Sequence, residues 1–258
     1  MPRAHVIFTG IAAALLAAAL DSANAQAPPA MSTPAGKLAQ EEPYKPVAVK
    51  IAPAPDDPNF AAFRAQLAKV AKDRIYAELV PLVAARGFFW DGDLSGGFDP
   101  QRSPAENLAA AIRLESGGGG GWNALAGFAA LTSATPLPSR PGVICAPARP
   151  QYDLVDFDQL VAATGTDAAV WRYPREEGMA LRAGPRPTAR IIETLGPYFV
   201  RLLDVGPLPE DWVAVAAPSG RTGYAAAAML LPLHGDRLCY RKDATGRWHI
   251  AGSIAAGH

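Results

Sequence analysis

Short apolar runs fill the last third of the chain, and glycine, proline, aspartate or serine residues separate them. The runs are MALRA, ARIIETL, YFVRLLD, WVAVA, DRLCYRK and WHIAGSI, between Met179 and Ile254. None of them is long enough for a stable helix, and the residues between them are those that form turns. This spacing predicts short antiparallel strands in a small barrel or sandwich.

A helical pattern precedes these runs over residues 59–135. Phe60, Phe63 and Leu67 recur at spacings of three and four, as on one face of an amphipathic helix. A second helix start lies at Ser103-Pro104-Ala105-Glu106, which combines a capping box with a proline in the first turn. We therefore expect a small helical domain over 59–135.

A proline-dense linker connects the two patterns. It lies within 136–164 and ends in a short helical pattern from Val155 to Ala163. The chain as a whole is predicted to be α+β, with a small N-terminal helical domain over 59–135, the linker, and a β domain over 165–258.

The N-terminus has the layout of a secretory signal peptide over residues 1–25. An apolar run from Val6 to Leu20 follows Arg3 and leads to Ala23-Asn24-Ala25, an A-x-A cleavage site. We expect a periplasmic or secreted protein with no membrane span after cleavage. The next segment, 26–58, is rich in proline and alanine and predicts a disordered tether. Its VAVKI stretch is open to another interpretation, as an edge strand.

Two cysteines, Cys145 and Cys239, are present in the chain. In an oxidising compartment such a pair favours a disulfide, here one that holds the linker to the last hairpin. The other interpretation is a cysteine nucleophile activated by His234 or His249, but the proline-bounded surroundings of Cys145 do not resemble such a site.

Other reactive motifs give little support for catalysis, so we expect no enzyme activity, no metal and no cofactor. Asp91 to Asp99 resembles the start of a calcium loop, but Arg102 occupies the position that requires a glutamate. No zinc-ligand spacing, nucleophile elbow or phosphate-binding loop occurs. The 24 basic and 24 acidic residues balance, which argues against nucleic acid as a partner.

The stretch MALRAGPRPTARIIETL, residues 179–195, resembles the opening of bacterial SH3-like (SH3b) domains. The later half of the pattern of this family is matched by Trp212, Val215, Gly220, Gly223 and Tyr224. The resemblance covers about residues 165–232. It implies an SH3-like β-barrel with a single 3₁₀ turn before its last strand, and leaves DRLCYRK and WHIAGSI as an extra hairpin. Both glycines are expected to adopt positive φ in a tight turn.

In that family the module binds rather than reacts, and its ligands are cell-wall peptides or other proteins. The resemblance therefore implies an aromatic groove formed by Trp212, Tyr224 and Tyr198, with a peptidoglycan peptide or an envelope protein as partner. The loop GPLPED, residues 206–211, is a place where a peptide could dock. Ordinary packing of these aromatic residues remains an open interpretation. The alternative function is a cell-wall hydrolase, or a hydrolase regulator, targeted by the same domain.

Overall fold

The computed structural model of the chain describes residues 38–92, 96–114 and 119–256. The predicted signal peptide, 1–25, lies outside these residues, and so does 26–37 of the predicted tether. The α-helices within the described ranges are α1 (Pro58–Asp73), α2 (Tyr76–Leu79), α3 (Pro104–Ala111), α4 (Gly120–Ala130) and α5 (Leu154–Thr164). None of these helices combines the length and the apolar character needed to cross a membrane.

The strands come in two groups along the chain. The first three, within the predicted helical and linker segments, are β1 (Phe89–Asp91), β2 (Thr135–Pro136) and β3 (Val143–Ala146). The remainder are β4 (Trp171–Pro174), β5 (Met179–Arg182), β6 (Ile191–Leu195), β7 (Val200–Leu203), β8 (Trp212–Ala216), β9 (Thr222–Ala226), β10 (Leu230–Pro232), β11 (Arg237–Lys242) and β12 (Trp248–Ile254).

The helix starts follow the sequence signals. The Asp57 carboxylate accepts hydrogen bonds from the backbone N–H groups of Asn59 and Phe60 at the start of α1. Ser103 and Glu106 form the predicted capping box at the start of α3. These caps satisfy backbone donors that a helix leaves unpaired at its N-terminus.

The first sheet has the strand order β1-β12-β11-β3-β2, in which β1 is parallel to β12 and the other pairs are antiparallel. One face of this sheet packs on the helices. Tyr240 and Ile250 are fully buried there in one core with Phe60 and Phe63 of α1. The Tyr240 ring makes edge contacts with both phenylalanines, at centroid distances of 5.2 and 5.9 Å.

The last hairpin therefore lies with the helices. Its strands β11 and β12 carry sequence that the family resemblance leaves as an appendage of the β domain. Leu238, Tyr240 and Ile250 present large apolar side chains on the face turned to α1, and burial of that face determines its position. The chain thus leaves the first sheet at β3, forms the second sheet, and returns beside β3 at β11.

The second sheet is antiparallel, with the strand order β10-β4-β7-β8-β9-β5-β6. Strand β4 lies between β7 and β10, and β10 and β6 are the two edges, so the sheet is not closed into a barrel. The mixed α+β character, with helices towards the N-terminus and strands towards the C-terminus, is confirmed. A 3₁₀ turn at Ala227–Met229 precedes β10, at the predicted place.

A disulfide joins Cys145 to Cys239, as predicted. The two residues face each other on β3 and β11, with 4.0 Å between their Cα atoms and 94 positions between them in sequence. Both side chains are fully buried. The bond fixes the two strands at which the chain leaves and re-enters the first sheet.

Removing this bond is expected to lower the free energy of unfolding. The double change Cys145→Ala and Cys239→Ala frees a long loop in the unfolded chain, at a cost of about 2–5 kcal/mol. Urea unfolding of the oxidised protein, the double variant and the reduced protein measures this cost. Equal midpoints for all three would contradict it.

Residues 39–51, here called the N-terminal strap, lie extended on the second sheet, where a disordered tether was expected. Backbone hydrogen bonds join Glu41 to Gly220, Tyr44 to Pro218 and Val47 to Phe199. The side chain of Val47 is buried in a core with Trp171 and Phe199. The alternative interpretation of VAVKI as strand is partly realised, since Ala48 and Lys50 each form a single β-bridge.

Tyr44 fixes the strap to the sheet through its hydroxyl group. This hydroxyl donates its proton to the carbonyl oxygens of Phe199 (3.1 Å) and Ala216 (3.0 Å), which share it. The ring packs edge-on against Trp171 at 5.1 Å. Tyr44 therefore connects β7 and β8 to the strap by both polar and apolar contacts.

We expect Tyr44→Phe to destabilise the protein by about 1–3 kcal/mol, because it removes the hydroxyl group and leaves the strap without its contacts to two partly buried carbonyls. Urea unfolding measures the change. Lys45→Ala is the matched control in the same segment. Its ion pair with Asp156 is exposed, so its loss is expected to cost about 0–1 kcal/mol. Equal effects of the two variants would contradict the role of the hydroxyl.

Alkaline pH is expected to weaken the folded state. Burial raises the pKa of Tyr44 well above its ordinary value of 10.0, and burial likewise raises that of Tyr173, to about 12. The unfolded chain therefore loses these protons first, so this contribution to stability is complete below about pH 10 and decreases above it. Unfolding midpoints measured between about pH 8 and about pH 11 should fall, and fall less steeply in Tyr44→Phe.

Candidate functional site

Trp212 lies at the exposed end of the second sheet's β8. Its side chain is half-buried, while Ala214, Val215 and Ala216 further along the strand are buried. The backbone N–H of Trp212 donates to the backbone carbonyl of Pro209 at 2.9 Å. This bond places the end of the loop 206–211 directly beside the tryptophan.

A cavity of about 300 Å³ lies at this end of the strand. Trp212 lines it together with Leu208 and Pro209 from the loop and Leu203 from β7. The loop GPLPED and Trp212, which were singled out separately in the sequence, thus form one site. The sequence signal for the loop was its pair of prolines, which restrict its backbone.

The charge of this cavity is negative. Its described lining residues include the carboxylates of Asp204 and Glu210 and no cationic side chain. The Asp204 carboxylate also accepts the Gly206 N–H at 3.3 Å. A half-exposed indole ring beside carboxylates suits a ligand that carries a positive charge, since cations are attracted both to the ring face and to the carboxylates.

A second cavity, of about 510 Å³, is also lined by the segment 202–205. Its lining includes Arg201, Glu41 of the strap and Asp167. The Arg201 guanidinium forms an ion pair with the Glu41 carboxylate. The strap therefore closes one wall of this cavity, and the two cavities share the segment 202–205.

Tyr224 does not contribute a ring to either cavity. It lies on β9, opposite Ala214 of β8 and Arg182 of β5, and is only 3% exposed. Its ring is therefore not accessible to a ligand, and Tyr224 is not part of the proposed binding surface.

Tyr198 lies near the opposite end of β8 from Trp212. Arg201 pairs with Ala216 at the far end of β8, and Tyr198 precedes Arg201 by three residues. Tyr198 is half-buried and forms a bridge with Ala48 of the strap, and burial is the main cause that raises the pKa of its hydroxyl. The structure therefore does not bring Trp212, Tyr224 and Tyr198 into one groove.

The two glycines of the β8–β9 hairpin have different functions. Gly220 has φ +78°, and a Cβ there would lie 2.4 Å from the carbonyl oxygen of Glu41. Gly220 thus has the positive φ that was expected, and its lack of a side chain also allows the strap to approach the turn. Gly223 does not have positive φ, which corrects that expectation. Instead, a Cβ there would lie 2.7 Å from the carbonyl oxygen of Arg182, so Gly223 permits close approach of β9 and β5.

The strap was predicted only as the alternative interpretation of VAVKI. Val47, Val49 and Ile51 alternate with other residues, which is the period of a half-buried strand. Proline and alanine on both sides indicated disorder more strongly. The alternation of these three residues was the sequence signal that could have predicted the strap.

Sites for metal or thiol chemistry are not found in the described ranges. No group of three or more histidine, cysteine, aspartate or glutamate side chains is placed there to hold a metal ion. Asp91 of the calcium-like stretch forms an ion pair with Arg140 at 2.9 Å, and 93–95 lie outside the described residues. Both cysteines are in the disulfide.

Comparisons with known proteins give no relative from which a function could be transferred. No family model, no curated protein and no solved structure matches this chain. Its function has to be argued from the residues of the site.

Proposed function

We propose that the second sheet is an SH3-like domain and that the protein is a non-catalytic binding module of the cell envelope. Strands β5 to β9, the 3₁₀ turn and β10 occur in the order of the SH3-like sequence pattern. The sheet differs from a closed barrel because β10 and β6 remain unpaired edges, and β4 lies beside β10.

The proposal depends on the cavity of about 300 Å³ beside Trp212, here called the Trp212 cavity. A half-exposed tryptophan beside Leu208 and Pro209 offers a large rigid apolar surface that an extended peptide can cover at low entropic cost. The loop 206–211 forms one wall, so the ligand would lie along the end of β8. Trp212 is the central contact and Leu208 and Pro209 the flanking ones.

The carboxylates of Asp204 and Glu210 support a ligand with a positive charge. A peptidoglycan stem peptide with a free amino group fits this chemistry, and so does an envelope protein with an exposed lysine in an extended segment. We propose the peptidoglycan peptide as the first ligand to test.

The strap supports an extended peptide as the class of ligand. It contains Pro43-Tyr44-Lys45-Pro46 and lies on the same sheet through backbone hydrogen bonds. An extended proline-containing segment is therefore compatible with the surface of this sheet.

The disulfide supports a periplasmic or secreted location, because such bonds persist in oxidising compartments. The alternative, a cell-wall hydrolase or hydrolase regulator, has no specific observation in its favour. Cys145 is not a nucleophile while it is bonded to Cys239, since the reactive form is the thiolate. Clearing of cell walls in a zymogram by the purified protein would favour the hydrolase.

Substitution of Trp212 tests the proposal. In calorimetric titrations with amine-bearing peptidoglycan stem peptides, Trp212→Ala is expected to bind about tenfold more weakly or worse, because a central aromatic contact is lost. Trp212→Phe should retain most of the affinity. The variants must first show the same circular dichroism spectrum as the unmodified protein.

The charge of the ligand provides the matched control. N-acetylation of the peptide amine is expected to weaken binding about 3–10-fold, through loss of the contacts with the ring and the carboxylates. A flat titration with the unmodified protein at millimolar peptide would contradict the cell-wall ligand. Unchanged affinity in Trp212→Ala would contradict the site.

A further inference from the structure

A cavity of about 820 Å³ lies on the first sheet, at the end of the β11–β12 hairpin. One wall consists of Val80 and Pro81, from a 3₁₀ turn, and of the residues from Val83 to Arg86. The others are the start of α3 and the hairpin from Arg241 to His249. This volume lies within the range of sites for small molecules.

The cavity has an apolar floor. Val83, Ala84 and Ala105 line it and are each about 5% exposed, while Val80 at the rim is 44% exposed. Pro81 and Pro104 complete the apolar lining. This surface favours an aliphatic group because it offers few hydrogen-bonding side chains.

The rim is cationic. The described lining carries four cationic side chains, Arg86, Arg241, Lys242 and Arg247, and one carboxylate, Asp243. A ligand with a negative charge is therefore favoured at the rim, and one with a positive charge is disfavoured.

Two of these four cations already have carboxylate partners. Lys242 pairs with Asp57 at 2.7 Å, and Arg247 with Asp243 at 3.4 Å. The Asp243 carboxylate is further occupied by His249 at 3.0 Å and by backbone and hydroxyl donors of its own turn. The Asp243 carboxylate accepts hydrogen bonds from the Thr245 hydroxyl and from His249, and these bonds hold the pKa of Asp243 well below its usual value. Asp243 is therefore ionised, and its oxygens are occupied by donors of the hairpin.

Arg86 and Arg241 are the other two cationic side chains of the rim. In the described part of the chain, neither takes part in an ion pair with a carboxylate. The Arg241 guanidinium donates to the carbonyl of Arg86 and lies against Gly87, which has no side chain to displace it. This contact holds Arg241 beside the chain segment that carries Arg86.

We propose that this cavity binds an amphipathic anion, a molecule with one carboxylate or phosphate group and an aliphatic chain. Arg86 and Arg241 hold the anionic group, and the chain lies on the floor formed by Val83, Ala84 and Ala105. Guanidinium groups suit both headgroups because their N–H donors form charge-assisted bonds with carboxylate and phosphate oxygens. This site is separate from the Trp212 cavity and does not depend on the function proposed for it.

Titration calorimetry of the full chain at low ionic strength tests the proposal with four probes, each below its micelle-forming concentration. They are dodecanoate, dodecyl phosphate, octyl phosphate and dodecyltrimethylammonium, and inorganic phosphate is the fifth titrant. We expect both anionic dodecyl probes to bind and the cationic one not to bind. Octyl phosphate and inorganic phosphate should bind progressively more weakly, because less apolar surface is buried.

The same titrations show whether the cavity prefers a carboxylate or a phosphate headgroup. Tighter binding of either dodecanoate or dodecyl phosphate identifies the preferred group and supports the proposal. Equal affinity for inorganic and dodecyl phosphate would overturn the role of the apolar floor. Equal binding of the cationic amphiphile, or no binding by any anionic probe, would overturn the site itself.

Substitution of each arginine tests where the anionic group of the ligand binds. Arg86→Gln and Arg241→Gln are each expected to weaken dodecyl phosphate binding about tenfold, whereas Arg190→Gln, at an exposed position before β6 on the other sheet, should leave it unchanged. Arg86 is exposed, so its variant keeps the test valid if Arg241→Gln fails to fold. Unchanged binding in Arg86→Gln would contradict the assignment.

Discussion

The pairing of β3 with β11 is the constraint on which the rest of this structure depends. These two strands are distant in sequence, and between them the chain forms α5 and the strands of the second sheet. Their antiparallel register brings the start and the end of that excursion to neighbouring positions. The cost of closing so long a loop rises only slowly with its length, and the buried core beneath Tyr240 and the disulfide both offset it.

A second constraint acts on the second sheet from outside its strands. The N-terminal strap covers the turn between β8 and β9 and contributes Val47 and Val49 to a core that also contains Trp171 and Phe199. An open sheet of short strands leaves apolar surface on both faces, and the strap and α5 bury part of it. The end of β8 that carries Trp212 lies away from the strap's bridge at Ala48, and no described residue of the strap lines the cavity beside Trp212.

Local signals were sufficient for a large part of the fold. Asp57 and Ser103 mark helix starts because a cap requires only neighbouring residues. Short apolar runs between turn residues predicted β5 to β8 of the second sheet. The predicted disulfide placed the last hairpin beside the linker, but the packing of this hairpin on α1 could not be predicted, because the apolar faces of Tyr240 and Ile250 do not specify the surface that buries them. β4 was not predicted as a strand. Its pairing with β10 could not be predicted either, because pairing joins residues that are far apart in sequence.

The site was predictable only in part. Trp212 and the loop 206–211 stood out by residue type, and the structure brings them together. Tyr224 also stood out, but its side chain is buried, and residue type alone does not report burial. The cationic cavity of the first sheet joins residues from three separated segments, so neither Arg86 nor Arg241 carries a signal of its own.

The position of the disulfide also determines what a protease could do to this molecule. Cys145 and Cys239 lie at the two ends of the excursion that forms the second sheet. One cut in any loop of that excursion would leave two fragments that are still joined by a covalent bond and by the buried strands around it. A clipped molecule would therefore remain one particle until the disulfide is reduced and the paired strands are unfolded.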